Sequence, residues 1–72
     1  MSIAKIIEVS SASHTSFDDA VKNAYSEVAA SVRNVKSVYV QDFIYEPDDS
    51  ADSGGRFRVH CKVTFIVENA ND

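Results

Sequence analysis

The side chains best suited to bind a ligand or take part in catalysis alternate along the segment RFRVHCKVTFIVE, residues 56–68. If this segment is a β-strand, Arg56, Arg58, His60 and Lys62 share one face, because successive side chains point to opposite sides of a strand. An arginine can bind a phosphate or carboxylate through two parallel hydrogen bonds, and a histidine can ligate a metal. No second ligand stands at metal-binding spacing from His60. Its position between two cations favours a subunit contact or a cavity wall instead.

The patterns that accompany catalysis are missing from the sequence. It contains no nucleophile paired with a base and no glycine-rich phosphate loop, since its two glycines, Gly54 and Gly55, stand together after an acidic run. The lone cysteine, Cys61, falls on the apolar side of segment 56–68, where a thiol packs as a small hydrophobe. His14 is expected to be exposed. We therefore expect that the protein is not an enzyme and has no metal centre.

Composition narrows the class of protein further. The chain has 72 residues with seven basic and eleven acidic side chains, a net charge of −4, which argues against nucleic acid as the main partner. No apolar run is long enough to span a membrane or to serve as a signal-peptide core. A single unpaired cysteine suits a reducing compartment. We expect one domain over residues 1–72, in a soluble, cytoplasmic protein.

The first half of the chain predicts a strand and a helix. Residues 3–9 are rich in isoleucine and valine and predict a strand, and the polar run at residues 10–13 predicts a loop. Ser16, followed three residues later by Asp19, is a helix-start signal. Apolar residues then recur at helical spacing, and a basic residue and a cap are expected at the helix end, at Arg33 and Asn34. The predicted apolar stripe comprises Phe17, Val21, Ala24, Val28 and Val32, with Ala20 and Tyr25 beside it.

The second half predicts two strands joined by an acidic hairpin. Residues 35–46 and 56–68 alternate as strands, and the run PDDSADSGG at residues 47–55 breaks the pattern. The acidic run loosely resembles a calcium loop but lacks its glutamate, because the twelfth position is Val59. A solvated turn is the default prediction, and a weak cation site shared between neighbouring copies is the alternative. The polar end at residues 69–72 is expected to fray.

These elements predict an α+β fold with the order β-α-β-β. A three-stranded antiparallel sheet would wrap around one helix and bury the apolar side of residues 56–68. Strict alternation places Tyr39, Phe43 and Tyr45 together on the face of the sheet away from the helix. A monomer rarely exposes so much aromatic surface. We therefore expect this face to meet another copy of the chain, another protein or a ligand, and favour self-assembly.

At this point the chain resembles the dodecin family over nearly its whole length. The resemblance is carried, in order and with matching spacing, by the segments AKIIEVSSAS, SFDDAVKNA, RNVKSVYVQDF and RFRVHCKVTFIVE. It implies a hollow assembly of twelve β-α-β-β subunits, a homododecamer. It also implies a storage role without catalysis, in which flavins such as riboflavin, FMN or lumichrome lie in pairs between subunits.

The resemblance also implies a ligand site, at which this sequence departs from the family pattern. Flavin-binding dodecins have a stacking tryptophan early in the second strand and a glutamine early in the third. Here those positions hold Ser37 and Arg58. Asp42 and Glu46 match acidic residues near the site in some members, and Tyr39 offers a substitute stacking surface.

Two interpretations of the departure stay open. Arg58 could shift the preference towards FMN or another phosphorylated ligand, or it could form an ion pair between subunits with Asp42 or Glu46. The protein is then either a flavin-storing dodecamer or a flavin-independent assembly with a structural, ion-binding or small-anion-binding role.

Overall fold

The computed structural model describes residues 2–48 and 54–68 and has the predicted order β-α-β-β. Strand β1 is Ser2–Ser13, helix α1 is Phe17–Ala29, strand β2 is Val35–Glu46 and strand β3 is Arg56–Glu68. The bounds of β2 and β3 are those predicted from their alternation. That residues 1–72 form one domain stays a prediction.

Strand β3 lies in the middle of the antiparallel sheet, in the order β1-β3-β2. It pairs with β1 from Ser2 opposite Glu68 to Ser13 opposite Phe57, without a break in register. A central strand has neighbours on both sides, so its inward side chains are the most shielded from water. This placement explains why the long apolar stripe belongs to β3.

The core lies between the helix and one face of the sheet. Val59, Cys61 and Val63 of β3 are at most 1% exposed. The helix presents Ala20, Ala24 and Val28 to them, and its two alanines allow a close approach of helix to sheet. The predicted inward face of β3 and the centre of the helix stripe are therefore confirmed, as is the burial of Cys61.

The helix begins as predicted and ends earlier than predicted. The Ser16 hydroxyl accepts a hydrogen bond from the Asp19 amide at 2.9 Å, which satisfies one of the free amides of the first turn. The Asp19 carboxylate accepts from the Ser13 hydroxyl at 2.6 Å and so ties the helix start to β1. The predicted helix end at Arg33 and Asn34 is wrong. The C-cap is Ala30, and Asn34 makes a separate turn with φ of 62° before β2.

The predicted loop at residues 10–13 is also wrong. These residues continue β1 opposite β3, because the long central strand offers pairing partners as far as Phe57. Serine has weak strand propensity, but the ladder hydrogen bonds and the covered inner face decide the outcome. Ser13 at the end of this extension is buried at 7% exposure.

A β-bulge reverses the predicted faces in the second half of β2. The register shifts between Val40, which lies opposite Cys61, and Asp42, which lies opposite His60. One extra residue, Gln41, is inserted there, so each side chain beyond it points to the other side. A second shift of one residue separates Val35, which lies opposite Phe65 on the helix side, from Ser37, which lies opposite Thr64 on the other side.

The prediction that Phe43 and Tyr45 lie away from the helix is consequently wrong. Phe43 pairs opposite Val59 and Tyr45 opposite Phe57, both on the helix side of the sheet. Of the three aromatic residues expected on the outer face, only Tyr39 lies there, opposite Lys62.

Two predicted features fall mostly outside the described residues. They are the centre of the acidic hairpin, including Ser50 and Asp52 of the calcium-loop comparison, and the polar end at residues 69–72. Within residues 2–48 and 54–68, no helix has the length and apolar character needed to cross a membrane.

Candidate functional site

The candidate site is the sheet face that points away from the helix, here called the open face. Residues paired across an antiparallel sheet point to the same side, so the register defines this face. No helix or strand among the described residues covers it. Its members are Ala4, Ile6, Glu8, Ser10 and Ala12 of β1, Ser37, Tyr39, Asp42, Ile44 and Glu46 of β2, and Arg56, Arg58, His60, Lys62, Thr64 and Ile66 of β3.

All five predicted site residues lie on the open face. Ser37 and Arg58 are there as alternation predicted. Asp42 and Glu46 reach it only because of the bulge, since strict alternation had placed them on the side of Val38 and Val40. The bulge thus brings two carboxylates next to the basic side chains of β3.

Arg58 spans the open face from one edge strand to the other. Its Nε donates to Oε2 of Glu46 on β2 at 2.9 Å, and its Nη1 donates to the Ser10 hydroxyl on β1 at 2.9 Å. Arg58 and Glu46 thus form an ion pair within one chain, and the pair predicted between subunits stays a prediction. The guanidinium is held above the middle strand by these hydrogen bonds, which it donates to acceptors on both flanking strands.

Glu46 is shared by two arginines. Nε of Arg56 lies 3.5 Å from the Oε1 atom of Glu46, which is buried and has no hydrogen bond among the described residues. Arg58 is the less exposed of the two arginines, with 25% of its side chain accessible against 51% for Arg56. Two cations therefore face one carboxylate at this end of the open face.

A histidine and a carboxylate lie close together next to Arg58. Nδ1 of His60 is 3.5 Å from Oδ2 of Asp42, and Ser10 lies opposite His60 on the other side. Around this pair a cleft of about 340 Å³ is lined by Glu8, Val9, Ser10, Gln41, Asp42, His60 and Cys61. The volume is at the lower end of small-molecule sites.

The stacking part of the flavin site that the resemblance implies has no ring at residue 37. Ser37 is exposed opposite Thr64 and has no ring to offer. Tyr39, one pair further along, is 65% exposed and lies opposite Lys62. An aromatic ligand can therefore find a ring surface at Tyr39 and hydrogen-bond donors at Arg58. This ring and these donors are four residues apart along β3, because Tyr39 lies opposite Lys62.

Two titratable groups outside the open face, His14 and Cys61, have structural surroundings. Nδ1 of the exposed His14 lies 3.1 Å from the carbonyl oxygen of Gly55, which links the start of the helix to the hairpin. Burial raises the pKa of the Cys61 thiol. Among the described residues, no three His, Cys, Asp or Glu side chains are grouped closely enough to hold a metal ion.

Sequence reasoning missed Ser10 as a partner of Arg58 and Asp42 as a partner of His60. Ser10 was detectable in principle, because extending the alternation of β1 beyond residue 9 puts it on the open face. The position of Asp42 on this face could not be predicted from the sequence, because it depends on the bulge at Gln41 and a bulge residue has no distinctive side chain.

The chain matches known proteins in both sequence and fold. The model of the dodecin family matches residues 3–68, nearly the whole chain. Members of this family bind small ligands and are not enzymes, and they typically form dodecamers; many of them bind flavins. The expectation that the chain is not an enzyme is thus confirmed through its family. No curated protein sequence matches the chain significantly.

Three solved structures illustrate the likeness of fold. Dodecin from Streptomyces coelicolor is 22% identical, with 96% of each chain covered and a TM-score of 0.84. An arginine-to-alanine variant of Thermus thermophilus dodecin is 16% identical, with 96% of this chain and 100% of that chain covered and a TM-score of 0.85.

The third structure is a calcium-chelating immunodominant antigen from Mycobacterium tuberculosis, called calcium dodecin, with a novel calcium-binding site. It is 20% identical, with 94% of each chain covered and a TM-score of 0.80. At these identities the structures establish a common fold, and the match of the family model over residues 3–68 identifies the chain as a member of the dodecin family.

Proposed function

We propose that the chain assembles as a homododecamer that binds and stores a flavin-class aromatic ligand between subunits, without turning it over. Ser37, Tyr39, Asp42, Glu46 and Arg58 would form each copy's part of the site. The observation that carries the proposal is that all five lie on the one sheet face that the helix leaves open. The lone buried cysteine suits a cytoplasmic location.

Assembly is supported by the apolar surface that the protomer leaves in water. Ile6 on the open face is 62% exposed and Tyr39 is 65% exposed, while Ile3 and Ile7 on the other side of β1 are 48% and 36% exposed. A chain of this length buries only about 60% of the surface exposed by its unfolded state, so additional burial between copies would stabilise it.

Ligand binding is supported by the polar groups that converge on the same face. Arg58 supplies hydrogen-bond donors that are held in place, and Tyr39 supplies an exposed ring. Aromatic stacking contributes roughly 1–3 kcal/mol per ring, as judged from nucleobases stacked on aromatic side chains. We therefore expect a site without a tryptophan at residue 37 to bind the ligand with lower affinity than a site with one, but still to bind it.

A second candidate is a dodecamer of the branch that lacks the tryptophan and glutamine and binds no flavin. It is favoured by Ser37, which offers no ring, and by Arg58, two of whose nitrogens are already bonded within the chain. Such an assembly would have a structural role or retain ions or small anions. The calcium-binding relative makes calcium the first ion to test.

Titration of riboflavin, FMN and lumichrome with the purified protein separates the two candidates. Flavin fluorescence should be quenched at micromolar protein, and the protein should elute at the size of twelve chains. A dodecamer that quenches none of the three ligands would reject flavin storage and favour the second candidate. Replacing Ser37 with Trp should then restore quenching if only the ring is missing.

A further inference from the structure

The helix leaves apolar side chains exposed on both of its flanks, on the side of the sheet that it covers. On the flank over β1, Ile3, Ile7 and Val67 remain exposed. Val67 pairs opposite Ile3, so these side chains lie on one surface, here called the β1 patch. On the flank over β2, Phe43 and Tyr45 are more exposed still, at 62% and 52%. Soluble monomers rarely leave large apolar patches in water, so both flanks are candidates for contacts.

Tyr25 belongs to the surface over β2 because of its place on the helix. The Asn23 side chain donates a hydrogen bond to the Ala12 carbonyl at 3.3 Å, so its flank of the helix faces β1. Each residue turns the helix by about 100°, which puts Tyr25 on the opposite flank from Asn23. Asp18 precedes Tyr25 by about two turns and lies on the same flank as Tyr25. Tyr25, Phe43 and Tyr45 are here called the β2 patch, with Asp18 at its rim.

The β1 patch carries a net positive charge. Lys5 lies on β1 between the two isoleucines and is exposed. Arg33 lines a cleft of about 420 Å³ together with Val67. Glu27, one turn after Asn23 on the flank over β1, sets one negative charge against these two positive ones. None of these three charged residues makes an ion pair with another described residue.

The β2 patch lies where the chain is acidic. Asp18 is exposed in the first turn of the helix, and Asp48 follows shortly after Tyr45, beyond the end of β2. Lys22, one turn after Asp18, offsets one of these negative charges. The two patches therefore match in apolar character and are opposite in charge.

A shell of twelve copies needs more than one contact surface. A symmetric contact through the open face joins two copies and leaves that face occupied. A contact between two different surfaces of the chain repeats from copy to copy and closes into a ring when the rotation allows. The two patches lie on opposite flanks of one helix, so each copy has one of them free for a neighbour on either side.

We infer that the β1 patch of one copy packs on the β2 patch of the next, with Lys5 close to Asp18 of the neighbour. The inference rests on the proposed assembly and adds the surface that extends it beyond two copies. Burial of the apolar side chains provides most of the driving force, and the opposite charges fix the orientation of the two copies.

Charge reversal with rescue tests the pairing of Lys5 with Asp18. Lys5→Glu and Asp18→Lys should each convert the dodecamer into smaller species at micromolar protein and low salt, because like charges then meet at every copy of the contact. The double variant restores opposite charges and should recover the dodecamer. The control Lys62→Glu, a reversal on the open face, should not rescue Asp18→Lys. Size-exclusion chromatography compares the variants.

Cross-linking tests the same contact by proximity. Cysteines replace Lys5 and Asp18, singly and together, and a short bis-maleimide is added to the assembled protein. Cys61 is 1% exposed and is shielded from the reagent. The double variant should give a series of covalently joined chains up to a closed ring on a denaturing gel. Each single variant should stay at the mass of one chain, because a head-to-tail contact brings different residues of the two copies together.

Three results would overturn the inference and leave a wild-type dodecamer, and with it the proposed function, intact. They are failure of the double charge reversal to restore assembly, a covalent dimer in either single-cysteine variant, and no cross-linked product in the double-cysteine variant. A wild-type protein that remains a single chain would reject the proposed assembly itself. If a charge-reversal variant fails to fold, as judged by circular dichroism, the cross-linking result decides.

Discussion

Phe43 packs edge-on against Phe17, with ring centroids 5.3 Å apart and ring planes at 88°. Phe17 in turn lies 5.0 Å from Phe57, and Phe57 lies 5.3 Å from Tyr45. These four rings join the helix start to β2 and β3 on the helix side of the sheet. The bulge at Gln41 places Phe43 and Tyr45 there, so that Tyr39 is the one aromatic residue of the open face among the described residues.

A double-mutant cycle at residues 17 and 43 tests this position of β2. Replacing each phenylalanine with leucine, singly and together, should give a coupling free energy of about 0.5–1.5 kcal/mol, the value for an edge-to-face pair. Denaturant unfolding at a fixed protein concentration measures it. The control cycle of Phe17 with Tyr39 should give no coupling. Additive effects for Phe17 and Phe43 would contradict the reversed face.

The tight approach at Gly55 leads to a second prediction. A Cβ atom there would overlap the carbonyl oxygen of Glu46 and lie 2.7 Å from Oη of Tyr45. Gly55→Ala should therefore destabilise the protein by about 1–3 kcal/mol, as overpacking does. Adding Tyr45→Phe should restore only part of the loss, because the clash with the backbone remains. Thermal melting of the single and double variants checks this, and full recovery would contradict it.

The N-cap of the helix gives a third prediction. Ser16→Ala removes the acceptor for the Asp19 amide and should cost about 1 kcal/mol of stability, whereas Ser16→Asp should retain most of it. Ser26→Ala, at an exposed position inside the same helix, serves as control and should cause no loss, because alanine is the better helix former. Urea unfolding compares the three variants. Equal stability of wild type and Ser16→Ala would show that the cap contributes nothing.

The buried thiol gives a prediction about pH. Burial raises the pKa of Cys61, so the folded protein retains the thiol proton at a pH where the unfolded chain releases it. Stability from this source is complete at low pH and is lost as the pH rises through the unfolded thiol pKa of about 8.5. The stability advantage of wild type over Cys61→Ala should therefore be constant well below the unfolded pKa of roughly 8.5 and shrink as the pH rises above it towards the higher pKa of the folded protein. An advantage that stays constant as the pH rises past the unfolded pKa would contradict the burial effect.

Much of the fold follows from local patterns in the sequence. The alternation of residues 56–68 correctly identifies the face of β3 that packs on the helix, and Ser16 with Asp19 correctly marks the helix start. Both signals are local: one depends on the two-residue period of a strand and the other on a single hydrogen bond across one turn.

The errors arise where tertiary structure overrides local preference. Ser10 to Ser13 look like a loop, but the free edge of a long central strand draws them into the ladder. Arg33 and Asn34 look like a helix end, but the chain leaves the helix at Ala30 to enter β2. The bulge at Gln41 is set by how β2 accommodates β3, so the positions of Asp42 and Glu46 could not be derived from alternation alone.

Native mass spectrometry of the purified protein incubated with FMN tests the central claim most directly, because it reports assembly and ligand together. The account predicts one main species with the mass of twelve chains plus a whole number of bound FMN molecules. A folded species with the mass of a single chain, carrying no FMN, would contradict it.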